Sequence, residues 1–180
     1  MNLETTRLKL EPFQTSHYDG LRAMESDPEI MRYISDGVVR TPEETWESIH
    51  RVTQCWEKYG FSWWALREKI SGKIVGAACL QHLANIDDAP LEIGWRLIAD
   101  FHGKGYATEA AKAIMEFAVE HIGATYLVAV AVPENTASQR VMQRLGMSYK
   151  GIEQHYDVPC VIYEWVVEET QSQNPISNHS

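Results

Sequence analysis

Phe101-His102-Gly103-Lys104-Gly105-Tyr106-Ala107-Thr108-Glu109-Ala110 lies between a strand-like stretch, 91–98, and an Ala-rich stretch, 107–122, whose apolar residues recur at helical spacing. Glycines in such a turn accept positive φ and let the backbone approach a ligand closely, while the first turn of the helix carries unpaired N–H groups. Those donors and the helix dipole favour an anion, phosphate being the commonest, and Lys104 adds a positive charge. Two familiar phosphate loops do not fit. A Walker loop needs Ser or Thr after its Gly-Lys, and here Gly105 follows Lys104. A dinucleotide fingerprint needs Gly or Ala where Thr108 stands and an acid about 20 residues on, and 123–128 contains none. Gly-x-Gly also serves ordinary turns, so this loop alone leaves phosphate binding and a plain turn both open.

Working outward, 91–98 reads as a strand, and 125–132, β-branched and bounded by Gly123 and Pro133, as a buried strand. Upstream, 6–13 alternates apolar with polar and stops near Pro12. The stretches 61–66 and 73–80 flank Lys69-Ile70-Ser71-Gly72 as a hairpin. Helical spacing in 15–59, with Thr41-Pro42-Glu43-Glu44 as a start signal, predicts two or three short helices. Downstream come a short helix at about 136–145, ended by Gly146, and strands at 147–154 and 160–167 around Asp157-Val158-Pro159. The order predicts one α/β domain over 1–168, with a mixed, mostly antiparallel, twisted sheet of six to seven strands and flanking helices. The polar stretch 169–180 is expected to be a flexible tail.

Composition narrows the function. A chain of 180 residues is one domain by length, and 44% apolar with 23% charged residues fits a globular protein. No apolar run approaches the ~18 residues of a membrane span, and Met1-Asn2-Leu3-Glu4 lacks a secretory n-region, so a cytoplasmic location is expected. Cys55, Cys79 and Cys160 form no CxxC and read as reduced, packed thiols. The net charge of −9 argues against nucleic acid as a partner and is compatible with an amine-bearing one. None of the seven histidines lies three or four residues from another, so no metal site is expected.

Several stretches carry a resemblance. His102-x-x-Gly105-x-Ala107 follows the pattern Gln/Arg-x-x-Gly-x-Gly/Ala, with His in the first place. Pro133-Glu134-Asn135-Thr136-Ala137-Ser138 runs on to Arg144-Leu145-Gly146-Met147. The opening Leu3-Glu4-Thr5-Thr6-Arg7-Leu8-Lys9-Leu10 is joined by Ser26-Asp27-Pro28-Glu29-Ile30-Met31. Together they resemble the GNAT superfamily of acyl-CoA-dependent N-acyltransferases, and within it the branch named for ribosomal-protein N-terminal acetylation.

The resemblance implies a GNAT fold and direct transfer of an acetyl group from acetyl-CoA to a primary amine, of a protein N-terminus or of a small molecule. Acetyl-CoA and the amine acceptor are then the partners, with the protein a monomer or a homodimer. It places the donor on Leu97, Ile98, His102, Gly103, Lys104, Gly105, Tyr106, Ala107, Thr108, Asn135 and Ser138. An alkylammonium or α-ammonium group is mostly charged at neutral pH, so a general base is required. Glu92 holds the position where many members place a glutamate, and alternation puts it on one strand face with Gly94 and Arg96. Its alternative role is an ion pair with Arg96 or another arginine. Where many members carry a tyrosine acid this chain has Met142, and the branch points to Ser138 as the hydroxyl near the sulfur; Ser138 could equally be a first-turn helix residue. Asn135 reads as a helix cap, a pantetheine contact, or both. The oxyanion is expected at a backbone N–H near Leu97-Ile98.

His155-Tyr156 and Trp63-Trp64 are candidates for the acceptor side, against the plainer reading of core and rim aromatics. Met142 and His102 together motivate an alternative, a non-catalytic acyl-CoA-binding or sensing module.

Overall fold

The computed structural model describes residues 1–168, and the polar tail expected at 169–180 lies outside the described residues. In chain order the elements are β1 (Leu3–Glu4), β2 (Leu8–Pro12), α1 (Tyr18–Glu25), α2 (Pro28–Met31), α3 (Pro42–Tyr59), β3 (Trp63–Glu68), β4 (Ile74–His82), β5 (Leu91–Leu97), α4 (Tyr106–Ile122), β6 (Tyr126–Ala131), α5 (Thr136–Arg144), β7 (Ser148–His155) and β8 (Val158–Val166). The start signal at Thr41 is a complete capping box: Thr41 Oγ1 accepts from Glu44 N–H, Glu44 reaches back to Thr41 N–H, and Pro42 fills the first turn.

The strands form one sheet in the order β1-β2-β3-β4-β5-β6-β8-β7. It holds 8 strands, one more than the upper end of the expected range. The addition, β1, is two residues long and is defined only by its pairing, Leu3 with Leu10 and Glu4 with Lys9, which leaves no periodicity to read. Every neighbouring pair is antiparallel except β5 with β6, and that parallel ladder is confined to Leu91 with Leu127 and Glu92 with Val128. Beyond Glu92 the two strands part.

The faces of the sheet are covered differently. On one, α4 lays Ala110, Ala111, Ile114, Phe117 and Ala118 against Leu8, Leu10, Trp64, Leu66, Leu80 and Ile93, the alanines letting helix and sheet approach closely. On the other, α1 and α3 bring Leu21, Met24, Ile49 and Val52 to Ala65 and Ala77. Register carries this second face across the sheet, since Ala77 is opposite Arg96, Cys79 opposite Gly94, and Gln81 opposite Glu92. Glu92, Gly94 and Arg96 therefore look toward α1 and α3, as alternation predicts.

Candidate active site

The parting of β5 and β6 opens a cleft of about 640 Å³ whose walls include Glu92, Gly94, Arg96, Val130, Asn135 and Ser138. Ile98 donates its N–H to Val75 O at 2.9 Å, which removes Ile98 from the expected pair of oxyanion donors. Because N–H directions alternate along an antiparallel ladder, the amides of Trp95 and Leu97 point away from β4, toward the gap that β6 has left. The Leu97 amide, one of the expected pair, therefore faces the gap, as does that of Trp95.

Glu92 is 6% exposed and, among the described residues, makes no ion pair. Its Oε2 accepts from the Tyr156 hydroxyl and from Gln81 Nε2 at 3.2 Å, while among the described residues its Oε1 takes no hydrogen bond. Gln81 Nε2 also donates to the Tyr156 oxygen at 2.9 Å, and Ala84 N–H does so at 3.2 Å. The indole N–H of Trp63 donates to Gln81 Oε1 at 3.0 Å. Burial pushes the Glu92 carboxyl above its ordinary range, against the pull of its two donors, and burial beside Glu92 pushes the Tyr156 hydroxyl far up.

Arg96 has a different partner from the one weighed in the sequence. Its Nη2 meets Glu25 Oε1 at 3.1 Å, and Thr45 Oγ1 donates to Glu25 Oε2 at 2.6 Å. Glu92 is left outside this pair. The Arg96 guanidinium lies 5.0 Å from the centre of the Trp63 ring. The aromatic candidates separate: Trp63 and Tyr156 line the cleft, Trp64 is fully buried under α4, and His155 pairs with Glu153 at 3.0 Å outside it. Cys55, Cys79 and Cys160 are free thiols, and all three border the cleft.

The glycine loop leads from β5 into α4. Gly103 and Gly105 both hold left-handed φ, 72° and 79°, and space around Gly103 is open. The first helical bond of α4 runs from Glu109 N–H to Gly105 O, so the amides of Tyr106, Ala107 and Thr108 precede the intrahelical ladder. Residues 102–105 are exposed, whereas the Tyr106 side chain turns inward and its hydroxyl donates to Glu68. Ala107 is buried, and the Thr108 hydroxyl is buried with no partner among the described residues. His102 Nε2 bonds the Leu97 carbonyl at 3.0 Å, tying the loop to the end of β5. Lys104 Nζ lies 4.9 Å from the Phe101 ring centre.

Arg7, given no site role by the sequence, braces this loop from the other end of the chain. Its Nη1 donates to Lys104 O at 2.8 Å, its Nε to Glu109 Oε2 at 2.7 Å, and its guanidinium covers the Tyr106 ring. Glu109 also accepts from Arg7 N–H and Thr5 Oγ1, and these donors outweigh burial and hold its carboxyl below the usual range. Nothing in local periodicity couples residue 7 to residue 109. Gln81, likewise missed, reads in sequence as one more polar residue ending a strand.

On the opposite wall, Asn135 caps α5 by accepting Ser138 N–H at 3.2 Å. Ser138 is half-buried, its side chain borders the cleft, and Met142 closes the wall one turn later at 1% exposure. A thioether offers no proton. The arrangement supplies a cleft with one unengaged carboxylate oxygen, backbone donors along an open strand edge, a hydroxyl on the facing helix and an anion-accepting helix start at the end of β5.

The family model of the Acetyltransferase (GNAT) domain matches residues 7–148. The chain is 30% identical over 154 residues to a Bacillus subtilis (strain 168) protein named uncharacterized N-acetyltransferase YnaD, covering 84% of this chain and 85% of that one. Its fold matches the solved structure of a GNAT-family acetyltransferase from Bacillus anthracis with a TM-score of 0.78, at 25% identity over 92% of this chain and 98% of that one. It also matches the fold of RimL, a ribosomal L7/L12 alpha-N-protein acetyltransferase solved with coenzyme A, with a TM-score of 0.78, at 17% identity over 93% and 98%. Agreement of this extent fixes the family: the chain belongs to the GNAT acetyltransferases and is an acyl-CoA-dependent N-acetyltransferase.

Proposed function

We propose that the protein moves the acetyl group of acetyl-CoA directly onto a primary amine, with Glu92 as the general base. The observation that carries this reading is the unengaged Oε1 of a buried glutamate at the point where β5 and β6 part. In this reading the CoA diphosphate lies against the loop 102–105 and the first amides of α4. The pantetheine arm follows the open edge of β5 as an added strand would, and RimL, which shares this fold, was solved with coenzyme A. That places the thioester beside the Trp95 and Leu97 amides, which are positioned to meet the oxyanion.

The amine nitrogen attacks the thioester carbonyl carbon, and its proton passes to Glu92 Oε1, directly or through one water. The C–S bond then breaks and the thiolate departs next to Ser138, whose hydroxyl hydrogen-bonds the sulfur. The proton held by Glu92 is finally released, which restores the carboxylate, and the CoA thiolate takes up a proton to leave as the thiol. Burial suits Glu92 to this work, because a carboxyl raised toward neutral pH is a stronger base than an ordinary one. The acceptor is an amine of a small molecule or a protein N-terminus, the latter being the substrate type that RimL's name states for RimL.

Thiol release from acetyl-CoA, measured with a panel of small amines and N-terminal peptides and followed by product mass, tests the reading. Amine-dependent release with acetylated product is expected, and Glu92→Gln should lose most of it at neutral pH. Saturable acetyl-CoA binding with no release across the panel, or full rate in Glu92→Gln, would overturn it.

A further inference from the structure

Four groups from four separate segments support one oxygen of Glu92, two of them touching it and two holding those two in place. Tyr156 comes from the turn between β7 and β8, Gln81 from β4, Trp63 from β3, and the Ala84 amide from the turn after β4. A phenol has one proton and room for two acceptor bonds. Ala84 N–H and Gln81 Nε2 occupy the acceptor positions of the Tyr156 oxygen, so its single proton goes to Glu92 Oε2. The orientation of Gln81 is fixed in turn, because an indole N–H can only donate. The atom that meets Trp63 is therefore the amide oxygen, and Nε2 is the end that faces Glu92 and Tyr156.

The backbone carries the same message. Tyr156 and Asp157 form a two-residue turn with φ of 53° and 63°, and Ala84 opposite has φ of 55°. Asn and Gly are the usual occupants of such turns, and a bulky ring at positive φ is uncommon. Strain of this kind persists where the surroundings over-determine the conformation, and here the three hydrogen bonds of one hydroxyl do so.

We infer that Tyr156 and Gln81 are positioning residues that commit Oε2 of Glu92 to the protein and leave Oε1 as the only carboxylate atom offered to the amine. This rests on the reading of Glu92 as the base. Both residues also pull the Glu92 carboxyl down against the upward push of its burial. The other titratable groups around Glu92 are His155 at the end of β7, the Cys79 thiol of β4 and the Cys160 thiol of β8.

The test is the pH profile of kcat at saturating acetyl-CoA, with one acceptor throughout, for the wild type, Tyr156→Phe, Gln81→Leu and Glu92→Gln. Loss of a donor to the ionised carboxylate moves the acid limb up by about one pH unit in Tyr156→Phe and in the same direction in Gln81→Leu. The rate below the limb falls about tenfold and recovers above it, with KM for acetyl-CoA unchanged. Tyr156→Asn, which suits the turn but carries no phenol, shows the same low-pH loss and the same recovery above the limb. A merely structural role predicts instead an equal loss at every pH. An unmoved limb in both Tyr156→Phe and Gln81→Leu, or a pH-independent loss, would overturn the inference while an inactive Glu92→Gln leaves the base in place. Wild-type behaviour of Glu92→Gln would instead remove the base, and this inference with it.

Discussion

Replacing Gly105 with Ala separates what the loop contributes to folding from what it contributes to the donor. Gly105 holds φ 79° and ψ 9°, and an added Cβ would lie 3.4 Å from Arg7 Nη2, the movable end of a long side chain, so space is not the obstacle. The backbone conformation is: an L-residue in the left-handed region costs roughly 1–2 kcal/mol, offset by roughly 0.4–1 kcal/mol from the stiffer unfolded chain. The net of about 1 kcal/mol lowers Tm by about 2–4 °C for a domain of this size. Gly123 is the control. It ends the same helix at φ 72° with nothing within 4 Å, so Gly123→Ala carries a similar stability cost far from the cleft.

Only Gly105→Ala disturbs the amides at the start of α4. Loss of one donor to a charged phosphate oxygen, worth about 1.5–3 kcal/mol, weakens CoA binding by about 10- to 150-fold. Thermal melts with calorimetric titration of CoA and acetyl-CoA measure both quantities. Matching losses of Tm with an affinity loss confined to Gly105→Ala are expected. Unchanged CoA affinity in Gly105→Ala, or an equal affinity loss in Gly123→Ala, would refute the placement of the diphosphate.

Four further outcomes follow from the geometry. Glu92→Gln should raise Tm at pH 8: the buried carboxyl titrates above its ordinary 4.5, so the native state binds more protons than the unfolded one. Its cost to folding therefore grows as pH rises through that window, and the Tm advantage of the variant should vanish below about pH 4.5. Ser138→Ala should lower kcat with little change in acetyl-CoA affinity, and equal turnover would make the serine only a first-turn residue of α5. Arg7→Ala should weaken CoA binding roughly fivefold by freeing the Lys104 carbonyl, a modest figure because the side chain is 42% exposed; calorimetry alongside a melt checks it. Gly76→Ala should lower Tm sharply, since its Cβ would stand 2.5 Å from the Arg96 carbonyl oxygen, with overpacking costs of about 1–3 kcal/mol.

Sequence reading was strongest where chemistry is local. The capping box at Thr41, the Asn135 cap, the left-handed glycines of the loop before α4 and the shared face of Glu92, Gly94 and Arg96 each rest on spacings of a few residues. It was weakest where pairing between distant segments decides the outcome. Strand β1 exists only through its partner, Arg96 takes Glu25 from 71 residues away, and Arg7 reaches Glu109 across 102. Ile98 is committed to Val75 rather than free to donate into the cleft, because register decides which amides face outward. Tyr156 was visible as an aromatic near the last strand, but its three bonds depend on a turn conformation that an Asp-Val-Pro reading of 157–159 did not anticipate.

The two-residue ladder between β5 and β6 makes the sheet a seam rather than a continuous fabric. Strands β1 to β5 lie on one side of that seam and β6 to β8 on the other. A pantetheine arm laid along the open edge would act as the stitch, so the donor is also a stabilising component of the fold. At a hundred times its Kd, such a ligand adds about 2.7 kcal/mol to the folded state. Amide exchange at Trp95, Leu97 and Val130 should slow together when acetyl-CoA is added. The enzyme is then firmest when its thioester is plentiful, and loosens along that line as the supply falls.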